Sequence, residues 1–290
     1  MNIFIFLISV YLYSNASLAQ PLALIYKGPG SCLQEPMSTG CSESAALVAQ
    51  QAGFNYQYVG PNDFLSEQTL REAKVWIQPG GRARIQEQTM SAQLKKTIVT
   101  FVKKGGGYVG FCAGGFLAYQ NFGWDTSQGP YEARGLGLIQ GKSFYYNLFD
   151  DQITEQNPAK IISTFWENKS VWIYWELGPY FPELSQEAST SKQNFHEVIS
   201  RYPVLQGQMS GPILSLRTRY GRGRVFITAV HPEAPQDWRD YFNLNDPDGT
   251  DFDLAVQMIQ WAANAEESLG SLHSSFRFDT ANVFQAKSSP

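Results

Sequence analysis

The chain has 290 residues, 43% hydrophobic and 17% charged, with a formal net charge of -4 at pH 7. That is enough chain to bury a sizeable core, and it is too apolar for a disordered segment. Charges of both signs are dispersed, which excludes a basic stripe for nucleic acid or for an anionic membrane surface.

The N-terminus, MNIFIFLISVYLYSNASLAQ, carries an apolar run from Ile3 to Tyr13 and then Ser17-Leu18-Ala19, a small-x-small cleavage site. It reads as a signal peptide over residues 1–19, too short to span a bilayer. The expectation is an exported protein, periplasmic or secreted, with no membrane contact after cleavage. Residues 20–265 are expected to form one α/β domain, and residues 266–290, where the pattern fades, a tail.

Leu22 to Tyr26 predicts the first strand, and Ser42 to Gln51 a helix with Ser42 as its N-cap. Tyr56 to Val59 predicts a strand, Ser66 to Ala73 a short helix, and Lys74 to Gln78 a third strand running into Pro79-Gly80-Gly81. Ser91 opens a helix with Leu94, Ile98, Phe101 and Val102 on one face, ended by Gly105. The next stretch, GGGYVGFCAGGFLAY, reads as a buried strand, a sharp turn and a helix, with Cys112 at the turn.

Tyr119 to Pro158 shows no clear period and is expected to carry an extra hairpin over a cleft. Ser170 to Trp175 predicts a strand and Glu176 to Phe181 a loop, while Asn194 to Tyr202 fits helix or strand equally. Pro212 to Leu216 and Arg224 to Ala229 predict a hairpin that delivers Val230-His231-Pro232-Glu233. Asp251 to Ala263 predicts a closing amphipathic helix. Strands alternating with helices at this spacing imply a mostly parallel, doubly wound sheet, whose sites form beyond the carboxyl ends of the strands.

Cys32 and Cys41 close a short Gly/Ser/Pro-rich loop, and an oxidising compartment would favour a disulfide between them. Cys112 is then a lone thiol. With three histidines and no C-x-x-C or H-x-x-x-H spacing, neither a metal site nor a cofactor is expected. A cysteine between a strand and a helix N-terminus is placed for nucleophilic chemistry. His231 is a candidate base, and Glu233, two residues on along an extended segment, projects to the same side and would orient it. The N–H of Ala113, with that of Gly80 or Gly81, could hold an oxyanion.

The order Gly80-Gly81, then Gly110 to Gly115 around Cys112, then His231-Pro232-Glu233 resembles the class I glutamine amidotransferase-like superfamily. WIQPGGRA, GGYVGFCAGGFLA and ELGPYF are similar to the amidotransferase-like domain at the N-terminus of biotin-protein ligases, over most of Leu22 to Ala263. The resemblance implies a flavodoxin-like sheet with helices on both faces and a Cys-His-Glu triad. By it Cys112 is the nucleophile, His231 the base, Glu233 its orienter, and Gly81 with Ala113 the oxyanion donors. No nucleotide-phosphate loop is found in the chain.

The function expected is hydrolysis of a C–N amide bond in a small-molecule or peptide-like substrate, through a thioester. The alternative is a non-catalytic module on the same fold, which binds a ligand or partner through aromatics such as Tyr145, Tyr146, Trp175 and Tyr180. An intracellular cysteine peptidase or chaperone-like relative fits less well, because those proteins usually place His directly after the nucleophile, where this chain has Ala113.

Overall fold

The computed structural model describes residues 20–32, 38–126, 129–147, 149–154, 156–183, 196–204 and 210–263. The expected leader and tail lie outside them. In chain order the elements begin β1 (Leu22–Tyr26), α1 (Cys41–Gln51), β2 (Asn55–Val59), α2 (Glu67–Glu72), β3 (Ala73–Gln78), α3 (Ala83–Thr89), α4 (Ala92–Lys103), β4 (Gly107–Phe111) and α5 (Ala113–Ala118). Then come β5 (Tyr119–Thr126), β6 (Gly129–Arg134), β7 (Ile139–Tyr145), β8 (Ala159–Trp166), β9 (Lys169–Glu176), β10 (Pro179–Tyr180) and β11 (His196–Arg201). The last are β12 (Ile213–Tyr220), β13 (Gly223–Thr228), α6 (Gln236–Tyr241) and α7 (Phe252–Ala262).

A nine-stranded sheet runs β2-β1-β3-β4-β13-β12-β11-β8-β9. The first five strands pair in parallel, and their order is that of a flavodoxin-like doubly wound fold. Strands covered on both faces need continuous apolar runs, and LALIY, AKVWIQ, GYVGF and GRVFIT supply them. The remaining pairings are antiparallel, so β12 and β8 alone run against the others. The carboxyl ends of β3, β4, β13 and β9 therefore share one edge direction.

The helices follow from local chemistry. Ser66 and Ser91 cap α2 and α4, each accepting an N–H bond at 3.1 Å from Thr69 and Leu94. In α4 the stripe Leu94, Ile98, Phe101 and Val102 is buried as expected, each side chain worth about 1.5–3 kcal/mol of burial. Ser42 is not the cap of α1: the helix starts at Cys41 after Gly40, and the Ser42 hydroxyl donates to the Tyr26 carbonyl at 2.8 Å, tying α1 to the end of β1.

The region from Tyr119 is more regular than its sequence suggests. β5, β6 and β7 join β10 in a separate four-stranded sheet, ordered β10-β7-β5-β6, whose β5–β6 pair is the expected hairpin. Its rings pack on one another, with Trp124 4.6 Å from Tyr131. The elements α3, β7, β8 and α6 had no counterpart in the sequence reading, and the short strand β10 falls within Glu176 to Phe181, expected to be a loop, because Pro179 and Tyr180 pair with the end of β7. The ambiguous segment resolves as strand β11, while Asn194 and Phe195 lie outside the described residues.

One buried cation ties α6 to the loop entering α7. The Arg239 side chain is 0% exposed, and it donates to Asp246 at 2.7 Å, to Asp251 at 3.1 Å and to the carbonyls of Ala234 at 2.8 Å and Gly249 at 3.1 Å. Removing one partner of such a group strands the others without solvent. Arg239→Met is therefore expected to cost about 3–5 kcal/mol in urea denaturation; a loss below about 1 kcal/mol would show that the carboxylates do not depend on it.

Candidate functional site

The site forms where three parallel strands end. β4 stops at Phe111, and Cys112 takes φ 43° and ψ -98°, a left-handed conformation that a non-glycine residue holds only when its surroundings over-determine it. The surroundings do so: its N–H donates to the Thr228 carbonyl at the end of β13 at 2.9 Å, and its own carbonyl starts α5 by accepting from Gly115 and Phe116. The side chain is 4% exposed, and its sulfur donates to the Glu176 carbonyl at 3.5 Å.

After β13 the chain runs Ala229-Val230 to His231, whose N–H donates to the Tyr174 carbonyl of β9 at 2.9 Å. The ring, 3% exposed, meets Tyr174 and Trp238 edge-on at 5.7 and 5.4 Å. Trp238 is fixed by its own N–H on the Thr39 carbonyl at 2.6 Å. Nδ1 of His231 lies 2.8 Å from Glu233 Oε1. Glu233 is 0% exposed, and its second carboxylate oxygen has no hydrogen-bond partner among the described residues. An anion so poorly solvated favours a proton on the ring beside it. Burial works against the charged imidazole, but the Glu233 carboxylate and the facing Cys112 sulfur outweigh it, holding the pKa of His231 well above the ordinary value of 6.5.

Gly80 and Gly81 close the third side, on the loop leaving β3. A Cβ at Gly80 would come within 2.3 Å of His231 Cε1, so this position admits no side chain. Gly81 has φ +114°, where L residues are strained, and a Cβ there would strike the Gly30 carbonyl at 2.2 Å. The N–H of Gly81 takes no backbone acceptor among the described residues, and that of Ala113, at the start of α5, has none within the helix. Cys32 and Cys41 are joined in a disulfide across a sequence separation of 9, and this bond sits beside the loop: Cys41 Sγ lies 3.4 Å from the space above Gly80.

Cys112, His231 and Glu233 thus converge with the Gly80-Gly81 loop and Ala113. Tyr146 and Trp175 are buried, Tyr146 stacked on Tyr202 at 3.7 Å and Trp175 donating to the Tyr202 hydroxyl at 2.9 Å. Tyr145 and Tyr180 stay half-buried, and the Tyr180 ring stacks on Phe144 at 5.4 Å. Among the described residues no three His, Cys, Asp or Glu side chains gather as a metal site.

Two parts of the site escaped the sequence reading. Gln86, fully buried in α3, donates to the Gly80 carbonyl at 2.9 Å and the Gly30 carbonyl at 3.1 Å and accepts from Gln78 at 2.7 Å, so it pegs the glycine loop from below. Tyr174 and Trp238, which clamp His231, come from β9 and α6. A polar residue in RARIQEQT or an aromatic in SVWIYW carries no mark of a partner so far away in the chain.

Chemically the arrangement sets a thiol opposite an imidazole that is bonded to a carboxylate, next to backbone N–H groups of Gly81 and Ala113 that take no backbone acceptor among the described residues. The sequence profile of the family described as biotin-protein ligase, N terminal, matches residues 22–268. A biotin–protein ligase of Schizosaccharomyces pombe is 26% identical over 221 residues, covering 72% of this chain and 33% of that protein, so the chain spans about a third of that relative. Among solved structures, PurLQS from Thermotoga maritima is similar at 18% identity and a TM-score of 0.48, covering 83% of this chain and 97% of the other. A glutamine amidotransferase is similar at 17% and 0.47, covering 76% and 96%.

The raised His231 pKa gives a pH dependence with a definite sign. The imidazolium–Glu233 contact stabilises the fold fully below pH about 6.5 and is lost as pH rises through the higher folded value. In a proton NMR titration the His231 ring signal, assigned by its loss in His231→Ala, should titrate above pH about 6.5, and Glu233→Gln should bring it down, leaving burial opposed only by the Cys112 sulfur. His196, which burial holds below the ordinary value, serves as the internal contrast. A His231 midpoint at or below the ordinary value would remove the imidazolium from the resting site.

Proposed function

The chain belongs to the biotin-protein ligase N-terminal family, and on that footing we propose that it is an exported cysteine hydrolase that cleaves a C–N amide bond, of the glutamine, γ-glutamyl or peptide-like kind. One observation carries the reading: a cysteine held at φ 43° on a strand-to-helix turn faces an imidazole bonded at 2.8 Å to a fully buried carboxylate. The Cys112 thiolate attacks the amide carbon, and the N–H groups of Ala113 and Gly81, or Gly80, receive the oxyanion. His231 passes its proton to the departing amine as the C–N bond breaks, leaving a thioester. It then takes a proton from water, whose attack releases the acid and restores the thiol. Glu233 keeps the ring turned and stabilises its charge. Export is supported by the signal-like residues 1–19 and by the Cys32–Cys41 disulfide, a bond favoured in an oxidising compartment.

A second reading, a binding module that retains the fold without turnover, is favoured by the cover over the nucleophile: Cys112 is 4% exposed and its thiol is already bonded to Glu176. The two part in one assay, release of p-nitroaniline from γ-glutamyl-p-nitroanilide and of ammonia from glutamine. Hydrolysis should fall to background in Cys112→Ala and by about 10²–10⁴-fold in His231→Ala, with thermal unfolding of both variants cooperative. An undiminished rate in Cys112→Ala would dismiss the nucleophile. A saturable ligand whose affinity survives Cys112→Ala, with no turnover, is the outcome that belongs to the binding module.

A further inference from the structure

The mechanism above uses Glu176 only through its main chain, yet its side chain stands at the same site. Glu176 is the last residue of β9, which ends at the same edge of the sheet as β4 and β13. Its backbone oxygen accepts from Cys112 at 3.5 Å, and its carboxylate Oε2 accepts from the Tyr174 hydroxyl at 2.8 Å. Residues two apart on a strand project to one face. Tyr174 packs edge-on against His231 at 5.7 Å, so the Glu176 carboxylate and the imidazole share that face.

Burial, and then the charge of Glu176, hold the Tyr174 phenol far above its ordinary range, so this hydroxyl keeps its proton and donates a hydrogen bond to the carboxylate. It fixes one carboxylate oxygen. Among the described residues the other oxygen has no hydrogen bond and no Lys or Arg pairs with Glu176, which is half-buried rather than open to solvent. Immediately after it Leu177 takes φ 48° and turns the chain away. A half-buried carboxylate with one oxygen anchored and the other unused among the described residues, beside a nucleophile, is a receptor for a cation.

We propose that Glu176 is a specificity-determining residue and that the substrate carries a protonated primary amine close to its scissile amide, received by the unused oxygen of this carboxylate. The proposal rests on the cysteine-hydrolase reading. It adds the charge of the substrate, which neither the elbow nor the His231–Glu233 pair prescribes.

The test is the rate of Cys112 modification by methanethiosulfonates bearing 2-aminoethyl, ethyl or 2-sulfonatoethyl groups, followed by mass spectrometry with Cys112→Ala as blank. In each reaction the thiolate attacks the sulfenyl sulfur, a disulfide forms, and methanesulfinate leaves with the electron pair of the broken S–S bond. The wild-type cation-to-anion rate ratio should exceed that of N-acetylcysteine amide by about 10-fold or more at low salt. Glu176→Gln should abolish this excess, and Glu176→Asp, which keeps the charge, should retain part of it. A wild-type ratio equal to that of the free thiol, or an excess that persists in Glu176→Gln, would overturn the proposal while leaving the nucleophile intact. Failure of all three reagents to label Cys112 would overturn the hydrolase reading, and this one with it.

Discussion

The backbone of Cys112 is the constraint on which the site depends. A non-glycine residue at φ 43° costs about 1–3 kcal/mol, and it persists only where neighbours leave no alternative. Here β4 is buried along its whole length between β3 and β13, so the strand cannot shift to relax its end. The Cys112 N–H is taken by Thr228, its carbonyl by Gly115 and Phe116, and the turn that follows is held by the Tyr108 hydroxyl on the Gly114 carbonyl at 2.8 Å. The parallel sheet is thus the clamp that keeps the sulfur at the strand end. A looser fold would let the turn open.

A second cost, the burial of Glu233, explains the shell around His231. A carboxylate without exposed surface needs compensation, and the imidazole supplies charge while neighbouring elements fix the segment that carries both. Ser44 of α1 donates to the Glu233 carbonyl, Arg239 of α6 to the next carbonyl at Ala234, and Trp238 anchors its indole on Thr39. The disulfide brings the Cys32 loop against the same region, where Cys41 packs with Tyr174, Ala234 and Trp238. Elements remote in sequence therefore exclude water from one ion pair, and its charge distribution is set by their packing.

Much of this was legible because it is local. The apolar runs of β1, β3, β4 and β13 announce buried parallel strands, and the small residues around Cys112 announce a crowded turn. The helices expected to open at Ser66 and Ser91 do begin there, because each serine caps through a bond only three residues away. What stayed hidden depends on distant partners. Ser42 looks like a cap, yet its hydroxyl is claimed by Tyr26, sixteen residues earlier and on another element. Strand β8 mixes Lys160, Ser163 and Thr164 into its pattern, and Thr164 is tolerated in the interior because Ser200 of β11 meets it at 2.8 Å. Gln86 reads as one more polar residue of a polar segment, although it holds the glycine loop. A sequence period registers which face is buried; it does not register who waits there.

The division of the sheet suggests a division of labour. The parallel half carries every group the proposed chemistry requires: the glycine loop after β3, the elbow after β4, and His231 and Glu233 after β13. The antiparallel half contributes no group to that bond-breaking step, yet it curls back so that the end of β9 reaches the site, with His231 hydrogen-bonded to Tyr174 and Cys112 to Glu176. A hairpin such as β8–β9 can vary in its terminal residues without disturbing β4 or β13, because its pairing with β11 lies away from the parallel strands. In that arrangement the proposed bond-breaking step draws on the strand ends of one half of the sheet, whereas the proposed choice of substrate draws on the residues that the other half leans over the nucleophile.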